Sequence, residues 1–202
     1  EIGVDLVDEE VIPTVLTDAT SQLLTMQKKS PDYAYINTNT QWVPVVLKDS
    51  LKLGLKVKYV VNNYGIDERT PKLAGDAAEG VMGIQDVAYW GENVPGMKTL
   101  TEFHAKHHPN ATHASPYMRG WLWVIVTMEA LKRAGPNADG EAIKKAFESL
   151  KEFDTWGLTP PFTYTSEDHR PTTRARIVQV KGGKVVQLKE VSVDRDMKWI
   201  GK

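Results

Sequence analysis

Three short runs hold the side chains best suited to chemistry. Asn37-Thr38-Asn39-Thr40, Asn62-Asn63-Tyr64 and Tyr89-Trp90 offer neutral amides, hydroxyls and aromatic faces, equipment for orienting a small polar or zwitterionic ligand. Asn and Thr also form ordinary turns, so these runs acquire meaning only from the elements that position them. His104, His107 and His108 recur at i, i+3 and i+4, near enough on a helix for imidazoles to share a metal. No carboxylate stands at a telling position beside them and a helix end is close, so a solvated terminus is expected, and no metal. His113 and His169 are isolated, and lone histidines are weak evidence for acid-base work. Asp8-Glu9-Glu10 reads as the solvated edge of a strand, because neighbours there point to opposite faces. Asp76 and Glu79, inside LAGDAAEGV, read as structural residues of a short helical turn. GxSxG, HExxH, P-loop and GxGxxG signatures do not occur. Neither catalytic residues nor a cofactor are expected.

The elements that must position the polar runs follow from periodicity. Gly3 to Val11 alternates apolar and acidic residues and predicts a strand. Asp18, Thr20 and Ser21 offer N-cap oxygens for a helix with Leu23, Leu24 and Met26 inward. Strands are predicted at Tyr33 to Ile36 and Lys58 to Val61, with a helix between them from about Val43, opened by Pro44 and stopped by Gly54. Val81 to Val87 adds a further strand and Lys98 to His107 a helix. Tyr117 to Ala134 and Gly140 to Leu150 follow as helices, the second capped by Asp139. Arg174 to Val180 and Lys184 to Leu188, joined across Gly182-Gly183, predict a hairpin. Strands alternating with helices imply a doubly wound α/β lobe around a parallel sheet, with helices on both faces. In such sheets ligands sit beyond the carboxyl ends of the strands, which is where all three polar runs fall. The stripe Trp121, Leu122, Val124, Ile125, Met128 and Leu131 is too apolar for a free helix surface and predicts a core contact.

Composition narrows the classes. The 202 residues carry 25 Lys plus Arg against 26 Asp plus Glu, so no basic field is available for nucleic acid or anionic lipid. Zero cysteines exclude disulfides and thiolate chemistry and fit an oxidising compartment.

A resemblance enters here. VIP followed by TDATSQL, SPDYAYI, LKLGLK, LAGDAAEGV, EALKRAG, DGEAIKKAFESL and LTPPFTYTSEDHRPTT then IVQVKGGKVV resemble, in order and spacing, the periplasmic solute-binding proteins of bacterial ABC importers, branched-chain amino-acid branch. The resemblance implies the type I periplasmic binding fold, two α/β lobes closing on a solute. It implies that residues 1–113 and 172–202 form the second lobe, that 114–171 are the returning helical part of the first, and that roughly 150 residues of the first lobe are not in this chain. It further implies that Asn37, Thr38, Asn39, Thr40, Asn62, Asn63 and Tyr64 contact ligand. Asn39 or Thr40 stands where amino-acid binders carry an aromatic residue, and Asn63 where they carry the Glu that pairs with the ligand's ammonium. An aromatic acid, an amide or another solute without that cation is therefore expected beside amino acids.

The function expected is non-enzymatic: capture of a small organic solute (amino acid or related carboxylate) in the periplasm or outside the cell, and delivery to ABC permease subunits. A ligand-sensing regulator of the same fold and an unrecognised α/β enzyme are the alternatives. Self-association of the chain through the Tyr117 to Ala134 helix is also expected.

Overall fold

The structure, a computed structural model, describes residues 3–13 and 15–194. The chain divides into two compact units, Glu1–Gln85 with Arg176–Lys189, and Asp86–Ala175 with Glu190–Lys202.

The first unit is built on a five-stranded sheet in the order β1-β2-β3-β4-β5. Its strands are β1 Tyr33–Ile36, β2 Lys58–Val61, β3 Met82–Gln85, β4 Arg174–Lys181 and β5 Lys184–Ser192. β1, β2 and β3 are parallel, with Tyr33 opposite Lys58 and Val60 opposite Met82. β4 joins β3 antiparallel, so the sheet is mixed where the sequence implied a parallel one. The β4–β5 hairpin turns at Gly182 and Gly183, both at positive φ (57° and 72°), the backbone a two-residue turn requires. Helix α1 Thr20–Lys29 precedes β1, and helices α2 Val43–Lys52 and α3 Thr70–Ala74 with a 3-10 turn Gly75–Ala78 connect the parallel strands. α2 begins where Pro44 fixes φ and ends before Gly54 at φ 67°. Asp18 accepts from the Thr20 N–H at 3.0 Å.

Side chains on β1–β3 separate by face. Ile36, Tyr59, Val61, Gly83 and Gln85 are buried, and the Tyr59 hydroxyl donates to Ser50 of α2 at 2.7 Å, which marks this as the helix-covered face. Tyr33, Tyr35, Lys58 and Ile84, on the opposite face, are exposed, and Val60 and Met82 half-buried. The expectation of helices on both faces therefore fails within this unit. β1, β2 and β3 advance across the sheet in one direction, and crossovers of a single hand then put every connecting helix on one side.

Two further expectations are corrected. Gly3 to Val11 forms no strand: Val4, Leu6 and Val11 are 74%, 81% and 82% exposed, and Asp8-Glu9-Glu10 edges no sheet. Alternation fits a half-buried strand only when a ladder partner exists. In α1 only Leu23 is buried, whereas Leu24 faces solvent.

The second unit contains α4 Pro95–His107, α5 Ser115–Ala134 and α6 Gly140–Glu148. Asp139 caps α6, accepting from the Ala142 N–H at 2.8 Å. One core joins Val87, Met97, Leu100, Met118, Leu122 and Leu158. Another joins Val126, Leu150 and Tyr164, with Phe147, Phe153 and Phe162 against it; burial raises the Tyr164 phenol above its ordinary pKa. The inward seam of α5 is thus Met118, Leu122, Val126 and Ala130, at a strict i+4 spacing. Of the predicted stripe Leu122 belongs to it and Trp121 packs half-buried against the same core, whereas Val124, Met128 and Leu131 are exposed together with Trp123.

Candidate functional site

Parallel strands leave their carboxyl ends at one edge of a sheet, and β1 and β2 carry Asn37 to Thr40 and Asn62 to Tyr64 there. The Asn62 side-chain amide donates to the Asn37 side-chain oxygen at 2.6 Å, tying the two loops. The Thr40 N–H donates to the Tyr64 carbonyl at 2.8 Å. Gly65 is required at this crossing, since a Cβ there would lie 2.3 Å from Val61 Cγ1 and 2.9 Å from the Thr38 carbonyl oxygen.

The seven predicted residues are brought to one place but not to one exposure. Asn37, Asn39 and Tyr64 are exposed, and Thr38, Asn62 and Asn63 half-buried. Thr40 is 3% exposed, its hydroxyl proton shared between the Tyr64 carbonyl (2.9 Å) and Asp67 Oδ2 (3.0 Å). Asn39 accepts from the Gln41 N–H at 2.9 Å, so part of this run does the turn work that its composition also allows.

Sequence reasoning missed the group behind these loops. Asp67, 2% exposed, accepts from the Arg69 N–H at 2.8 Å and from Arg69 Nη2 at 2.6 Å, with Arg69 Nε 3.1–3.2 Å from both carboxylate oxygens. The Asp67 N–H donates to the Thr70 hydroxyl at 3.0 Å. Asp67 raises the Arg69 pKa through these hydrogen bonds, outweighing the opposing effect of burial. Gln85, fully buried at the end of β3, donates to the Ile66 carbonyl at 3.1 Å and fixes the same segment from the third strand. A buried acid two residues before an Arg has no signature that separates it from a surface pair. The result is a polar surface whose buried carboxylate is already matched by a guanidinium, suited to hydrogen bonding with a solute.

Tyr89 and Trp90 lie in the second unit. Trp90 stacks on His113 at 4.5 Å between centroids and meets His104 edge-on at 4.9 Å. The expected solvated helix end is corrected for His104, which is 1% exposed with Nε2 3.1 Å from the Ala111 carbonyl oxygen. His107 packs on Phe103 at 4.5 Å. Among the described residues no three His, Cys, Asp or Glu side chains are grouped to hold a metal ion. A recess of about 260 Å³ in the first unit, lined by Leu47, Leu51, Leu55, Tyr59 and Val81, opens near the start of β2 and before β3. It lies at the opposite end of these strands from the polar loops, which follow the carboxyl ends, where parallel sheets bind ligands.

Comparison with solved structures shows the same fold. A branched-chain amino-acid ABC transporter protein from Thermus thermophilus with bound valine is similar over 91% of this chain and 51% of its own, at 23% identity and a TM-score of 0.79. An ABC transporter substrate-binding protein from Aeropyrum pernix covers 89% and 49%, at 23% identity and a TM-score of 0.78. A solute-binding protein from R. palustris in complex with benzoate covers 90% and 49%, at 18% identity and a TM-score of 0.73. The chain thus spans about half the length of these solved relatives. No curated protein sequence matches it. The family model for periplasmic binding proteins matches residues 1–184, and the chain therefore belongs to the periplasmic binding protein family, with the periplasmic or extracellular location that goes with it.

Proposed function

We propose that this chain is part of the extracytoplasmic solute-binding component of an ABC importer. It captures a small organic solute on the surface formed by Asn37, Thr38, Asn39, Asn62, Asn63 and Tyr64, with Thr40 behind them, and delivers it to permease subunits. In this reading residues 1–113 and 172–202 act as one lobe of a two-lobed clamp and 114–171 as the returning part of the other. The chemistry required is binding, not bond breaking, and neutral amides with an aromatic face meet that requirement.

The solute class follows from charge. The proposal rests on what the resemblance implies, Asn63 where amino-acid binders carry an ammonium-pairing Glu, and is supported by the buried Asp67 already paired with Arg69 at 2.6 Å. None of the side chains of Asn37 to Thr40 and Asn62 to Tyr64 carries the negative charge that would pair with an α-ammonium. Carboxylates and amides without an ammonium are the ligands this arrangement favours. Relatives solved with valine and with benzoate span that choice. A thermal-shift screen of amino acids beside aromatic and aliphatic carboxylates tests it: stabilisation by carboxylates is expected, and stabilisation by branched-chain amino acids alone contradicts it.

A further inference from the structure

We infer that Asp67 is the positioning residue of the polar surface: its carboxylate locks the loop after β1 to the loop after β2, so that the two present one preorganised face. The inference rests on the proposed reading of that face as the solute site and assigns a role to a buried residue behind it. Three observations support it. The acid is 2% exposed, yet accepts from the Thr40 hydroxyl of one loop (3.0 Å) and from the Arg69 backbone and guanidinium of the other (2.8 and 2.6 Å). Thr40 carries the link on, its N–H and hydroxyl both within 2.9 Å of the Tyr64 carbonyl oxygen. Gly65 lets the two backbones approach so closely that a single added carbon would collide with Thr38 and Val61. Hydrogen bonds to an ionised acceptor are among the stronger ones a protein makes, and preorganised groups give affinity because little order is lost on binding.

The role has consequences a merely structural acid would not. In Asp67→Asn the amide loses the charge that holds Arg69 and Thr40 together, while Arg69, its side chain 39% exposed, returns to water at little cost. The Thr40 amide should then exchange with solvent about tenfold faster, the scale of one charge-assisted hydrogen bond, while the α2 amides of Val46 and Leu47 exchange as before. Thr40→Val should reproduce this loosening and Thr40→Ser, which keeps the hydroxyl, should rescue it. Benzoate titrated into the same variants, followed by amide NMR, should bind about tenfold more weakly to Asp67→Asn and Thr40→Val and within about twofold of the parent to Thr40→Ser. Unchanged Thr40 exchange in Asp67→Asn overturns the lock, as does an equal acceleration in α2, which would make Asp67 a general stability residue. If benzoate and leucine both leave the parent unshifted, the solute reading fails, and the exchange experiment still decides the lock.

Discussion

The two faces of β1–β3 differ by one residue of register and by most of their energy. Ile36 and Val61 are 4% and 0% exposed, whereas Tyr35, the neighbour of Ile36 on β1, is 62% exposed. Fully burying a large apolar side chain is worth about 1.5–3 kcal/mol, so stability in this unit comes from the helix-covered face. Alternation in a strand states only that two faces differ. Which face is covered, and by what, depends on the direction in which the crossovers advance.

The largest effect expected separates these faces directly. Val61→Asp puts an unpaired carboxylate into the covered face and should cost about 4 kcal/mol or more, or abolish folding. Tyr35→Lys should change stability by less than about 1 kcal/mol. Urea unfolding followed by circular dichroism measures both, and comparable losses would break the comparison.

The covered side also carries an acid-sensitive tie. Asp49 of α2 accepts from the Ala19 N–H at 3.0 Å and from Lys52 at 2.9 Å. Burial opposes its charge, but the Ala19 hydrogen bond and Lys52 outweigh burial and hold the carboxyl below its ordinary value of 3.8. A lowered folded-state pKa means stability that is present above the unfolded value and lost as pH falls through the folded one. Asp49→Ala should therefore cost roughly 1 kcal/mol at neutral pH, with the gap from the parent closing below about pH 4. A gap that stays unchanged as pH falls through the folded-state value would show that the loss is packing and not charge.

The smallest effect on stability concerns the outer face of α5. Trp123, Val124 and Met128 are 69%, 60% and 61% exposed, an apolar surface of the kind that marks an interaction site. Val124→Lys with Met128→Lys should alter stability by less than about 0.5 kcal/mol while lowering self-association of the chain in light scattering. A concentration-independent monomer before substitution contradicts that expectation.

Local signals were legible where a short-range rule decides them. Tyr33–Ile36 and Lys58–Val61 form strands with the predicted bounds, and Pro44, Gly54, Asp139 and the Gly182-Gly183 turn act where their chemistry places them. Partner-dependent features were not. Gly3 to Val11 has strand alternation without a strand, and α5 turns Val126 and Ala130 inward rather than Val124 and Met128. An all-apolar helix surface does not reveal which side a core will take. The strand-end rule gathered Asn37 and Asn62 into contact, but Asp67 and the burial of Thr40 depend on contacts between residues 27 apart, beyond any local pattern.

The central claim, a neutral solute-binding surface at the carboxyl ends of β1 and β2, is tested most directly by amide NMR of this chain during titration with millimolar benzoate and, separately, leucine. Benzoate should shift a contiguous set of amides in Asn37 to Gln41 and Asn62 to Gly65, and leucine should shift them less. Shifts confined to the recess beside Leu51 and Leu55, to α5, or produced by leucine alone would contradict it.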